Sequence, residues 1–328
     1  MKSRPSIVVT NRIHEEVAVR LSRHGDVDVN AGTEPWPRDE LARRLAGADA
    51  MMGFMTDCLD ADLLERAPHL KVVACALKGF DSYDVAACTR RGVWVTIVPD
   101  LLTEPTAELA VGLAIGLGRH IRQADAYIRD GGFTGWRPTF YGTGLAGSTV
   151  AIIGLGKVGE AIARRLAGFE CRLLGCDPCA LPPAGMTRVG LGEALAAADF
   201  VIVAAPLTPT TRHLLSRKQL LGMKRGALLI NVGRGSVVDE TAVAEALGEK
   251  HLAGYAADVF AFEDWLLDNR PRSIPAELLS HPATLFTPHI GSAVTSVRLA
   301  IEHRAADNII AVLDGRAPPD AINQPLLK

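Results

Sequence analysis

The sequence predicts an α/β protein built from two doubly wound parallel sheets, and three observations carry that reading. The chain has 328 residues, more than one ordinary hydrophobic core holds, so two domains are expected. Short β-branched runs alternate with helical patterns along most of its length, which is the signature of βαβ units. Near the middle, the stretch Val150-Ala151-Ile152-Ile153 enters a glycine turn, Gly154-Leu155-Gly156-Lys157-Val158-Gly159, that opens a helical segment.

The elements follow in order. Strands are predicted over 6–10, 27–29, 50–54, 70–75 and 93–97, with helices over about 13–23, 37–46, 60–66 and 82–91 between them. A long helical pattern runs from Glu104 to Asp130, with Pro105 in its first turn. Its Gly112, Gly116 and Gly118 give one face small enough to pack closely on another helix, as a subunit contact or simply as a buried helix. An aromatic, glycine-rich loop follows over 131–142, with Phe133, Trp136, Phe140 and Tyr141. Such loops carry function or contacts more often than core. Further strands are predicted at 171–176, 199–204, 227–232, 254–258 and 284–287, and a last helix at 293–313. That helix is expected to cross back and complete the N-terminal domain, giving residues 1–101 plus 292–328 for one domain and 102–291 for the other.

Composition narrows the partners. Hydrophobic residues make up 48% of the chain, charged residues 22%, and the net charge is −2. Neither a nucleic acid nor a membrane held by bulk charge is expected. No apolar run reaches a membrane span, and the N-terminus lacks a signal-peptide core, so a cytoplasmic location is expected. The six cysteines are expected to be reduced. Cys176-Asp177-Pro178-Cys179 has C-x-x-C spacing but lies at a strand end, not at the helix start that a redox motif uses, and no metal site is expected.

The spacing Gly154-x-Gly156-x-x-Gly159 fits a dinucleotide site. The first glycine makes the tight turn, the second lets the backbone approach a pyrophosphate, and the third lets helix and strand pack closely. The helix start at Lys157 and Val158 then offers free N–H groups to the phosphates. Asp177, beside Pro178, stands at the end of the next strand, where a carboxylate accepts from a ribose 2′-hydroxyl and repels a 2′-phosphate. NAD is therefore expected, with NADP weaker, and the nearby Lys157 makes this a preference rather than an exclusion. Pro206, Val232, Gly233, Arg234, Asp258 and His289 also fall at the carboxyl ends of predicted strands, where open α/β sheets bind ligands. An arginine can fork onto an oxyanion, a carboxylate can orient a histidine, and that histidine can exchange a proton near neutral pH. Arg234, Glu263 and His289 are the candidates for these roles.

These stretches resemble the D-2-hydroxyacid dehydrogenase family: Gly154–Gly159, Asn231–Ser236, Asp239-Glu240, Ala257–Phe260 with Glu263, and Thr287–Gly291. The resemblance covers nearly the whole chain. It implies a flavodoxin-like substrate domain, a Rossmann NAD-binding domain, a cleft between them and a homodimer. It places Arg234, Glu263 and His289 in the catalytic roles, and Lys78, Thr106, Asp258 and Gly291 near the cofactor. A closer resemblance is to the phosphite (phosphonate) dehydrogenase branch of that family. Ala76–Asp81, Val98–Thr103, Gly135-Trp136 with Tyr141-Gly142, Glu263–Trp265 and His289–Val294 with Val297–Leu299 carry it. It implies phosphite as substrate and phosphate as product, with Lys78, Gly79, Met55, Arg298, Trp136 and Tyr141 around them. Two other readings stay open: a D-2-hydroxyacid dehydrogenase of another specificity, and a non-catalytic NAD(H)-sensing regulator on the same fold.

Overall fold

A computed structural model describes residues 4–267 and 269–325. Two compact units emerge from the chain. The first comprises the segment ending at Leu102, a short stretch beginning at Trp265, and the chain from Ala293 onward. The second runs from Thr103 to Asp264 and from Asn269 to Ser292. The excursion at Trp265 is not foreshadowed by any composition shift; Trp265 donates its indole N–H to the Met55 carbonyl at 3.0 Å.

The first unit alternates β1 (Ser6–Val9), α1 (Glu15–Ser22), β2 (Asp26–Val29), α2 (Arg38–Leu45), β3 (Ala50–Gly53), α3 (Ala61–Glu65), β4 (Val72–Cys75), α4 (Val85–Arg91) and β5 (Trp94–Thr96). Its strands form one parallel sheet in the order β2-β1-β3-β4-β5, the doubly wound arrangement expected of a flavodoxin-like domain. Residues of β3 and β4 are buried on both faces, which is why these strands read as unbroken apolar runs. Short polar caps set helix starts: Asp60 accepts from the Leu63 N–H and Asp84 from the Ala87 N–H. Gly92, at φ 81°, ends α4 in the left-handed conformation.

The second unit begins with α5 (Thr103–Gly118) and α6 (Ile121–Arg129). It continues through β6 (Thr149–Ile153), α7 (Lys157–Leu166), β7 (Arg172–Cys176), β8 (Met186–Arg188), α8 (Leu191–Ala197), β9 (Phe200–Val203), α9 (Arg217–Leu221), β10 (Leu228–Asn231), α10 (Glu240–Gly248), β11 (Gly254–Ala257), α11 (Ala276–Ser280) and β12 (Thr284–Phe286). The sheet is parallel throughout, in the order β12-β11-β10-β9-β6-β7-β8. The order reverses between β6 and β9, which is where a Rossmann sheet binds its dinucleotide.

The single helix expected from Glu104 to Asp130 is corrected to two. His120 takes φ 54°, and the chain bends there between α5 and α6. The cause is downstream. Thr143 donates its N–H to the Gly118 carbonyl, so the returning loop docks on the end of α5. A Cβ on Gly118 would lie 2.6 Å from the Thr143 carbonyl oxygen, and one on Gly116 would lie 2.9 Å from Leu285. These two glycines thus pack inside their own unit, while Gly112 is exposed with nothing within 4 Å of where its Cβ would be.

The final helix, α12 (Thr295–Leu313), returns to the first unit. Ile301, Ala305 and Ile309 bury against Ile7, Val9, Met52 and Ala74 and close one face of that sheet. Leu41, Leu45, Leu63 and Leu64 close the other. No helix among the described residues is long and apolar enough to cross a membrane, and no disulfide links the six cysteines.

Candidate active site

In the second unit the glycine turn is shaped by contacts that leave no room for side chains. Gly154 has φ 94°, and a Cβ there would lie 2.8 Å from Ala205. A Cβ on Gly159 would sit 2.1 Å from the Gly154 carbonyl oxygen. The middle glycine differs: a Cβ on Gly156 would meet nothing within 4 Å. Gly154 and Gly159 are therefore required by packing, while Gly156 faces open space at the exposed start of α7, beside Lys157 and Val158. Backbone N–H groups facing an open cradle fit a dinucleotide pyrophosphate.

Asp177 closes the other side of this cradle. Its carboxylate accepts from Leu155 N–H at 2.9 Å and from Cys179 and Ala180 N–H at 2.8 Å each. Burial works to raise its pKa, but these three amides outweigh burial and hold it below the ordinary value. The residue stays ionised and also clamps the turn. Sequence reading missed a neighbour: Arg188, from edge strand β8, donates to the carbonyls of Asp177 and Pro178 at 3.2 and 3.1 Å. Nothing in its local pattern marks it, because the pairing of β8 with β7 brings it there. Pro206 is exposed after β9, and its carbonyl accepts from the Thr211 hydroxyl at 2.7 Å.

The proton-transfer candidates are assembled at the ends of β10, β11 and β12. His289 Nδ1 lies 2.7 Å from Glu263 Oε2. The other carboxylate oxygen of Glu263 accepts the Phe260 N–H at 2.8 Å, so the glutamate is held at both ends. His289 itself has φ 55°, and its N–H donates to the carbonyls of Asp258 and Thr287. With Nδ1 engaged, Nε2 is the ring nitrogen left to meet a substrate. Asp258 is buried and shapes the same loop: its carboxylate accepts from the Thr287 hydroxyl and from the N–H groups of Ile290 and Gly291. Burial raises the Asp258 pKa, an effect these donors and the His289 charge only partly offset. Thr106 lies against this loop, its Oγ1 3.1 Å from where a Cβ on Gly291 would be.

Arg234 follows β10 in a turn with its own ties. Asn231 Nδ2 donates to the Arg234 carbonyl at 3.0 Å, Gly233 N–H donates to Asn231 Oδ1, and the guanidinium donates to the Gly233 carbonyl at 2.9 Å. Val232 is buried beside it, and a Cβ on Gly233 would lie 2.5 Å from the Ala205 carbonyl oxygen.

The first unit presents a second group of candidates at the carboxyl ends of β3 and β4. Arg298, on α12, donates to the Ala76 carbonyl at 3.3 Å and lies 5.7 Å from the Phe54 ring centroid. Burial lowers its pKa and Glu302 counters this, yet an arginine remains charged. Lys78 and Gly79 come two and three residues after Ala76 and are half-buried, as is Met55. Trp136 and Tyr141, on the loop after α6, are 77% and 76% exposed.

Comparison with known proteins bears on the family and the fold. Residues 111–291 match the family described as D-isomer specific 2-hydroxyacid dehydrogenase, NAD binding domain. The chain is 38% identical to a glyoxylate reductase of Thermofilum pendens over 99% of this chain and 96% of that protein. It is 35% identical to a glyoxylate reductase of Pyrococcus furiosus, over 99% and 97%. Among solved structures it is similar to a protein from Thermus thermophilus, with TM-score 0.89 and 36% identity over 97% of this chain and all of that one. It is also similar to an NADPH-dependent glyoxylate/hydroxypyruvate reductase from Sinorhizobium meliloti, solved with NADP and malonate, with TM-score 0.83 and 31% identity over 98% and 97%.

Proposed function

The chain belongs to the D-isomer specific 2-hydroxyacid dehydrogenase family and has its NAD-binding domain, and from that premise we propose that it oxidises phosphite to phosphate while reducing NAD. The observation that carries this reading is the pair of cations at the end of β4. Arg298 reaches the Ala76 carbonyl, and Lys78 follows two residues later. A doubly charged oxyanion calls for more cation than a carboxylate does.

Gly154, Gly156, Lys157, Val158, Gly159 and Asp177 would hold the dinucleotide, with Pro178, Pro206, Val232, Gly233, Thr106, Asp258 and Gly291 around it. Bound nicotinamide supplies the hydride acceptor. Lys78, Arg234 and Arg298 would bind the oxyanion, with Met55 and Gly79 beside them. Phosphite has no hydroxyl carbon to become a carbonyl, so water must provide the fourth oxygen. His289 Nε2 would take a proton from that water as hydride leaves phosphorus, and Glu263 would steady the resulting imidazolium. Trp136 and Tyr141 would reach substrate only from a second copy of the chain, in a homodimer.

A second reading has specific support. The relatives are named glyoxylate reductase, which favours a hydroxyacid substrate over phosphite. In that case His289 Nε2 exchanges the proton of the 2-hydroxyl, and Arg234 forks onto the carboxylate. One assay separates the two: NADH formation with phosphite against D-lactate and D-glycerate, and NADH consumption with glyoxylate. Phosphite is expected to give the highest kcat/KM. Lys78→Ala is expected to lower that value by roughly one to two orders of magnitude, as loss of a charge-assisted hydrogen bond would. Faster turnover of glyoxylate, with no phosphite oxidation, would establish the second reading instead.

A further inference from the structure

Two short turns carry the candidate reactive groups of the second unit, and a buried carboxyl outside them ties them together. One turn is Arg234 followed by the 3-10 segment Gly235–Val237; the other is Phe260 followed by Ala261–Glu263. They touch backbone to backbone: a Cβ on Gly235 would lie 1.9 Å from the Phe260 carbonyl carbon. Ser236 N–H donates to Asp264 Oδ2 at 2.9 Å. Glu240, the first residue of α10, comes three residues after the Arg234 turn, and its Oε1 accepts the Ala261 N–H of the other turn at 2.8 Å. Glu240 is only 5% exposed.

This bond is the only hydrogen bond Glu240's side chain makes among the described residues; its Oε2 is buried without a partner. A buried carboxyl half satisfied is costly to keep, and helix α10 does not need it, since Asp239 already caps that helix through the Ala242 N–H. Adjacent amides of the second turn are therefore divided between two glutamates. Phe260 N–H goes to Glu263, which faces His289, and Ala261 N–H goes to Glu240. Without the Glu240 contact, the Ala261 amide is an orphan donor in a dry site, and the turn can rotate to satisfy it at the expense of the Glu263 geometry.

We propose that Glu240 is a positioning residue: its buried carboxyl fixes the Phe260–Glu263 turn against the Arg234 turn and so aims Glu263 at His289. This rests on the reading of Glu263 and His289 as the proton-transfer pair. The test uses the full-length enzyme as Glu240→Ala and Glu240→Gln, with His289→Ala as control, on the best substrate from the assay above. NADH dissociation constants, from fluorescence titration, are measured beside kcat and KM. Glu240→Ala is expected to lower kcat at least tenfold with KM and NADH affinity within threefold of the unmodified enzyme. Glu240→Gln, whose amide oxygen still accepts from Ala261, is expected to recover kcat to within threefold. Three results would overturn the proposal: kcat within twofold in Glu240→Ala, a parallel loss of NADH binding and kcat, or no recovery in Glu240→Gln. Should Glu240→Ala fail to fold, Glu240→Leu fills the same buried space without an acceptor and leaves the Ala261 N–H unmatched. Glu240→Leu should show the same selective loss of kcat, and unmodified kcat there also overturns the proposal. Full turnover in His289→Ala would instead remove the proton-transfer reading, independently of Glu240.

Discussion

Asp177 does two jobs with one carboxylate, and the two must be separated to read its mutants. Three of its lone pairs are taken by backbone amides of the turn, leaving limited capacity for a ribose hydroxyl. Asp177→Ala will loosen the turn for every cofactor, so kcat/KM should fall with both NAD and NADP. The specificity lies in their ratio: removing the carboxylate also removes the repulsion of a 2′-phosphate, and the preference for NAD should shrink by about tenfold. Arg188, held at the carbonyls of Asp177 and Pro178, places a positive charge beside the same position, so Arg188→Ala should widen the preference. Equal ratios in the unmodified protein and in Asp177→Ala would refute the assignment. Glu240 offers a prediction of a different kind. Burial first, and then the charges of Asp264, Glu263 and Asp239, push its pKa from 4.5 to about 7, against the Ala261 hydrogen bond that lowers it; Tyr255, from β11, also faces it. The folded state thus holds a proton that the unfolded chain releases above pH 4.5. Stability should fall as pH rises from about 4.5 to about 7, by about 3 kcal/mol from this residue alone, and stay lowered above that. Glu240→Gln escapes this loss. Its melting temperature relative to the unmodified protein should therefore rise between pH 5 and pH 8, and a constant difference would show that Glu240 does not titrate in that range.

At the scale of elements, legibility followed the period and the strand. Buried parallel strands such as β3, β4 and β9 are unbroken apolar runs, and sequence reading finds them because nothing polar interrupts the pattern. The glycine turn was legible from its spacing, although only the structure shows that packing demands Gly154 and Gly159, while a Cβ on Gly156 would meet nothing within 4 Å. The α5–α6 break was not legible. Residues 104–130 have continuous helical character, and the bend at His120 is imposed by Thr143, more than twenty residues later. A tertiary contact of that kind overrides local propensity. The same holds for Arg188 and Glu240. Each meets its partner through strand pairing or turn-on-turn packing: nothing local marks Arg188, and Asp239-Glu240 stands out only as part of the resemblance, which gives Glu240 no partner. The His289–Glu263 contact joins two residues the sequence already singles out: His289 follows a strand end, and Glu263 closes the Asp258-Val259-Phe260-x-x-Glu263 spacing.

At the scale of the whole molecule, the surface around α6 is the feature most in need of a partner. Helix α6 buries none of its residues in its own chain, yet Ile121 and Ile128 on it are 53% and 58% exposed. The loop after it adds Phe133 at 57% and Trp136 at 77%. Tyr127 and Phe140 meet edge to face beside them, with ring centroids 5.5 Å apart, so the surface is ordered rather than a loose tail. Apolar side chains grouped in this way on one surface mark an interaction site more often than chance exposure. A second copy of the chain is the partner proposed, since an isologous contact places the same apolar residues on both sides and leaves none uncovered. Sedimentation velocity at micromolar concentration should then give a dimer. Phe133→Glu with Trp136→Glu should shift it to monomer, because burying two carboxylates against the partner's same two carboxylates costs far more than the lost apolar area. If Trp136 and Tyr141 reach the partner's substrate, the monomeric variant should also lose kcat/KM while retaining NADH affinity. A monomer in the unmodified protein would leave this apolar surface to some other partner and would remove Trp136 and Tyr141 from the active site.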